Sequence, residues 1–181
     1  PDISLSFLND AVGAFLLQPH GAGGTGSPQG SSPTSTSAYQ IEAVLFLAYA
    51  FGEGAPEIVQ RAATAPAGSV AAFDALLQTT FAALRASWAG PADAPLAAAM
   101  QDPKVLLAFH ELAARYVATL KAPPLVPTLM GVLEGFVGIA GLRHARARVR
   151  SRTAALLLRV VRALGPELLV PSVVDPVLNA L

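Results

Sequence analysis

The chain has 181 residues, enough for one domain with a sizeable core; 53% of them are apolar and 13% charged, about half the usual share of charge. Twelve basic and twelve acidic residues cancel, so the molecule as a whole is not a polyelectrolyte binder. The lack of cysteine excludes disulfides and thiol chemistry, and the apolar run 44–51, like every other, is too short to span a bilayer. A chain so poor in charge has to hide much of its surface, within itself or against neighbouring protein. Its opening Pro1-Asp2, without Met, fits a piece cut from something longer.

Residues 1–17 are predicted to form an amphipathic helix, with Ile3, Phe7, Val12 and Phe15 among its apolar positions. Residues 18–37 are rich in Gly, Ser, Pro and Thr and lack a hydrophobic anchor, which predicts a disordered loop. A phosphate-binding reading of that loop fails, because no Gly-Lys-Ser/Thr ending is present and no strand leads in. An apolar helix is expected from Tyr39 to Gly52 or Gly54, then a short helix or turn over 55–65. Residues 69–88 place Val70, Phe73, Leu76, Leu77, Phe81, Leu84 and Trp88 at helical spacing. Gly90, Pro91 and Pro95 break the chain, and Asp102-Pro103 is a helix start that runs to about Lys121. Pro123, Pro124 and Pro127 end it and open another helix to about Val137. A further helix is stopped by Gly165-Pro166, and a last one is expected to reach Leu181.

No segment alternates as a half-buried strand does, so the fold class is all-α. Helices of this length joined by Pro/Gly turns, at a spacing near 40 residues, predict a HEAT-repeat-like α-solenoid of three to four antiparallel helix pairs over 38–181.

The stretch 141–164 holds seven of the twelve basic residues and no acid. At 100° per residue, Arg148, Arg152, Arg159 and Arg162 fall within roughly an 80° stripe. Val149, Thr153, Leu156, Leu157, Val160 and Leu164 fall on another face. The apolar face needs a partner helix and the stripe needs water or an anion. Guanidinium forks bind phosphate oxygens bidentately, so Arg148, Arg152, Arg159 and Arg162, with Arg143 and Arg146 just before them, are the candidate nucleic-acid contacts. The bland alternative is that such arginines form intra-repeat ion pairs or lie over apolar surface. Arg150, off the stripe and nearer the apolar face, fits that structural role best. The stretch has no Phe, Tyr or Trp, which disfavours a single-strand stacking platform there.

The run GLRH at 141–144, VRSRTA at 149–154 and LLLRVVRAL at 156–164 resembles the central region of exportin-T, the nuclear export receptor for tRNA. AFHELAARY, with Phe109, Glu111, Arg115 and Tyr116, and IEAVLFLAYAFGE at 41–53 are similar to earlier helices of that family, in the same order. The resemblance spans 39–181 and leaves 1–38 unassigned. It implies a middle slice of a long HEAT-repeat receptor that binds tRNA together with Ran-GTP, passes nuclear pore proteins and shuttles between nucleus and cytoplasm. One departure is His144, in a turn where HEAT repeats often carry an aspartate. The alternative function is a HEAT-type protein-interaction scaffold without RNA binding, which the low charge and high apolar content suit. A membrane-surface role for the basic helix fits less well, since its apolar face suits partner helices and no lipidation motif is present.

Catalysis is not expected. His20, His110 and His144 lack metal-ligand spacing, Ser151 and Thr153 lack a base, and Glu53 and Glu57 are separated by Pro56. The expectation is therefore no enzyme activity, no cofactor, no metal, no small-molecule substrate and no membrane partner.

Overall fold

The structure, a computed structural model, describes residues 2–16, 38–89, 95–165 and 175. The expected loop at 18–37 and the expected last helix toward Leu181 lie outside these residues, as does the side chain of Trp88.

The described elements are α1 (Asp2–Leu16), α2 (Ala38–Gly54), α3 (Pro56–Val59), α4 (Ser69–Ala89), α5 (Pro95–Ala99), α6 (Pro103–Leu120), a 3₁₀ turn (Pro123–Leu125), α7 (Val126–Val137) and α8 (Ala147–Leu164), with no strand among the described residues. The all-α expectation therefore holds. Local chemistry sets the ends. The Asp102 carboxylate accepts from the Lys104 N–H at 2.8 Å, and Pro103 fills the first helical position where no N–H is needed. Gly165 takes φ 78° and stops α8. Pro95, expected only to break the chain, instead opens the short α5.

Named contacts fix the directions of the helices. Lys104 lies over the Tyr39 ring, Tyr116 bonds Ala48 and Thr119 bonds the Val59 carbonyl, so α2 and α6 run parallel. Glu111 meets Arg152 and Lys121 meets Ala163, so α6 and α8 run parallel as well. Gln78 reaches Pro124 and Arg85 reaches Glu134, which makes α4 and α7 parallel. Between these two groups the order reverses: Phe73 packs on Tyr116 while Phe81 packs on Phe109. The result is a layer of α2, α6 and α8 against a layer of α1, α4 and α7, with consecutive long helices from α2 onward antiparallel. This is the solenoid-like array of helix pairs. α6 pairs directly with α7, whereas α2 and α4 are both packed on α1 and meet each other through Phe51 and Phe73. The near-40-residue spacing holds from α6 to α8, whereas α3 and α5 lengthen the interval from α2 to α6.

The core lies in the seam between the layers. Phe51 stacks on Phe73 with centroids 5.1 Å apart, Phe73 meets Tyr116 edge-on at 5.2 Å, and Phe81 meets Phe109 at 5.5 Å. Leu8, Val12 and Leu16 anchor α1, while Phe7, read from sequence as one of its apolar positions, is 62% exposed. The buried set of α8 is Val149, Thr153, Leu156, Leu157, Val160 and Leu164, the face that periodicity marks out.

Candidate nucleic-acid interface

The basic stretch divides into a turn and a helix. α8 begins at Ala147, with Arg146 as its N-cap residue, so Arg143 and Arg146 belong to the approach rather than to the helical stripe. That approach is closely tied. The Leu142 N–H donates to the Phe136 carbonyl at 2.8 Å and the Arg143 N–H to the Gly138 carbonyl at 3.0 Å. A Cβ on Gly141 would sit 2.1 Å from the Phe136 carbonyl oxygen, so the turn requires glycine by close backbone approach. His144, standing where an aspartate was expected, supplies an acceptor: its Nδ1 takes the Arg146 N–H at 3.0 Å. Arg150 donates from Nη1 to the His144 and Ala145 carbonyls at 2.8 and 2.7 Å, which is the structural role its position suggested.

Arg148, Arg152, Arg159 and Arg162 are all exposed on one face of α8. They are not equivalent. Arg152 donates from Nε and Nη2 to one Glu111 carboxylate oxygen, at 3.0 and 2.7 Å. Glu111 stands on α6, so the neighbouring helix supplies the acid that α8 lacks. Arg148, Arg159 and Arg162 have no acidic partner among the described residues. Arg148 borders an open groove of about 800 Å³ between α2 and α6, lined also by Tyr39, Glu42, Phe46, Lys104 and Glu111.

Those α2 and α6 residues escaped the sequence reading of the interface. A signal for the aromatics existed. Tyr39 and Phe46 are seven apart and lie roughly 150° from the buried Ile41, Leu45 and Ala48 stripe. Their exposures, 72% and 69%, follow from that phase. Nothing in one sequence indicates that parallel stacking of α2, α6 and α8 brings them beside Arg148.

Beneath the interface, Thr153 Oγ1 and His110 Nδ1 lie 3.1 Å apart in the buried contact of α8 with α6. Burial holds the imidazole down at about pKa 4, with the Gly135 backbone opposing and His144 adding to the shift. No group of histidine and acidic side chains capable of holding a metal occurs among the described residues. No described helix is long and apolar enough to cross a membrane.

A family model described as Exportin-T matches residues 29–181. No curated protein and no solved structure matches the chain.

Proposed function

Since the chain belongs to the Exportin-T family, whose members are nuclear export receptors rather than enzymes, we propose that it is a segment of a receptor that binds tRNA together with Ran-GTP. In this reading residues 38–181 are HEAT-type repeats of the receptor, which shuttles between nucleus and cytoplasm through contacts with nuclear pore proteins. Residues 1–17 and 18–37 carry no assigned part. The observation that supports direct RNA contact is the row Arg148, Arg159 and Arg162, three exposed guanidinium groups on one helix face without acidic partners among the described residues. Such a row suits phosphates, which carry shape and backbone recognition of a folded RNA. Arg143 and Arg146 extend it at the approach turn, and Arg152 joins it with its charge offset by Glu111.

The test is to replace Arg148, Arg159 and Arg162 together by Gln and measure tRNA affinity with Ran-GTP present. Affinity should fall by on the order of 1 kcal/mol per lost contact. The logarithmic salt slope should flatten by about 0.7 to 0.9 for each. The loss should be similar across tRNA sequences, because phosphate contacts position without reading sequence. An unchanged affinity and slope in a folded variant would remove the row from the interface.

A second reading, a protein-interaction scaffold without RNA binding, draws on the Glu111–Arg152 pair and the exposed Tyr39 and Phe46. It expects partner binding that barely responds to salt.

A further inference from the structure

The groove between α2 and α6 combines features that a plain solenoid surface does not need. Tyr39 and Phe46 present large aromatic faces to solvent, at 72% and 69% exposure. Singly exposed apolar residues are ordinary, but two aromatics on one stripe, bordering one groove, are not. Lys104 places its ammonium 5.4 Å from the centre of the Tyr39 ring, at the wall of the groove. Arg148 lines the same groove and also begins the arginine row of α8, so the aromatic surface and the cationic surface are continuous. Two carboxylates, Glu42 and Glu111, lie in the groove as well, and Glu111 is already offset by Arg152. With Glu111 offset by Arg152, which stands outside the lining, Lys104 and Arg148 face the single carboxylate Glu42.

We infer that this groove takes a short unpaired stretch of an RNA strand, one base stacked on Phe46 and another on Tyr39, with its phosphates held by Lys104 and Arg148. Aromatic platforms beside a basic track are the recurring solution for single-stranded nucleic acid, because every base has a π-face and every linkage a phosphate. A fully paired helix offers phosphates to the arginine row but no free base face to the groove. The volume, about 800 Å³, falls within the range of roughly 300 to 1,000 Å³ for small-ligand clefts. The inference rests on the RNA-binding reading above and adds a subsite to it, one that discriminates unpaired from paired nucleotides.

The experiment uses the full 181-residue chain at low salt with two probes. One is a 12-nucleotide single-stranded RNA carrying 2-aminopurine, the other a blunt RNA duplex of equal length. The single strand should bind with quenching of the 2-aminopurine. Phe46→Ala should weaken it about 5- to 150-fold, the ~1–3 kcal/mol typical of one stacked base. Tyr39→Ala should act in the same direction, and Phe46→Trp should retain binding. None of these should change duplex binding. Both side chains are exposed, so folding should survive, as circular dichroism would show. If Phe46→Ala and Tyr39→Ala change neither probe while Arg159→Gln with Arg162→Gln weakens both, the groove is not a base site and the arginine row stands alone. If neither RNA binds, the RNA reading fails and the inference with it. Binding of an apolar Phe-rich peptide that is lost with Phe46→Ala and does not compete with RNA would reassign the groove to a protein partner.

Discussion

His110 Nδ1 and Thr153 Oγ1, 3.1 Å apart, join α6 to α8 directly beneath the arginine face. The ring packs on Phe136 with centroids 4.5 Å apart, and its Nε2 has no partner in hydrogen-bond geometry. The hydroxyl donates to Nδ1 or Nδ1–H donates to the hydroxyl according to the tautomer, and either way the neutral ring satisfies the contact. Burial already disfavours the cation and lowers the pKa from 6.5 to about 4.

The sign of the pH dependence follows. Between pH 6.5 and 4 the unfolded chain binds a proton at His110 that the folded chain refuses, so stability is complete above about 6.5 and falls as the pH drops toward 4. The whole interval is worth about 3 kcal/mol. Urea midpoints measured from pH 7 to pH 5, above most carboxylate titration, should fall steadily. His110→Gln should be less stable at pH 7 and nearly flat across that window. A wild-type profile as flat as the variant's would show that His110 takes up its proton at the same pH in the folded chain as in the unfolded one.

Tyr116 ties the α2–α6 contact in the same buried seam. Its hydroxyl donates to the Ala48 carbonyl at 2.5 Å, and burial pushes its pKa up to about 12, with the Gly52 backbone opposing. Tyr116→Phe should cost about 1 kcal/mol, rising toward 3 if the Ala48 carbonyl finds no water. Gly52→Ala should cost about 1–3 kcal/mol, because the added Cβ would sit 2.7 Å from the Tyr116 hydroxyl. In the double variant Gly52→Ala/Tyr116→Phe the two losses should fall short of their sum, since both act on one atom. Strict additivity in chemical denaturation would show that the glycine is required for another reason.

The extent to which sequence revealed this arrangement depends on the range of the interaction. The buried set of α8 and the Asp102 cap are decided within a turn or two of helix, and both are visible as spacing. Phe7 departs from the expected apolar face, which keeps Val12, because α1 turns Leu8 and Leu16 inward with it, a phase that its many apolar residues do not specify. Glu111 and Arg152 are 41 residues apart, and only the parallel stacking of α6 and α8 brings them together. The same stacking sets Arg148 beside the α2 aromatics. The arginine row was therefore legible as a row, while its neutralised member and its aromatic neighbour were not.

Arg150 should separate structure from binding. It is exposed like the row, yet its guanidinium closes the turn on the His144 and Ala145 carbonyls. Arg150→Met should lower stability by about 1 kcal/mol and leave the salt slope of RNA binding unchanged. Gly141→Ala should cost more, since its Cβ would meet the Phe136 carbonyl oxygen at 2.1 Å and backbone must move. Thermal melts together with salt titrations check both. A flattened salt slope for Arg150→Met would place it among the phosphate contacts.

The Glu111–Arg152 pair offers a test with opposite signs for its possible roles. Its side chains are 37% and 50% exposed, so the bridge contributes little to folding, within about 0–1 kcal/mol. Glu111→Gln should therefore leave stability nearly unchanged. It should also release Arg152 and add one net positive charge beside Arg148. A phosphate arriving near that charge gains about 1 kcal/mol at 4 Å in water, so RNA affinity should rise about fivefold at low salt. The gain should disappear toward 1 M salt, where the screening length is about 3 Å. The salt slope should steepen by about 0.7 to 0.9, as one further contact requires, and Arg152→Gln added to the variant should remove the gain. If Glu111→Gln instead weakens RNA binding while Lys104 and Arg148 are intact, the carboxylate acts by holding the guanidinium in position. If neither substitution changes affinity, Arg152 belongs to the scaffold, and the RNA contacts lie with Arg148, Arg159 and Arg162.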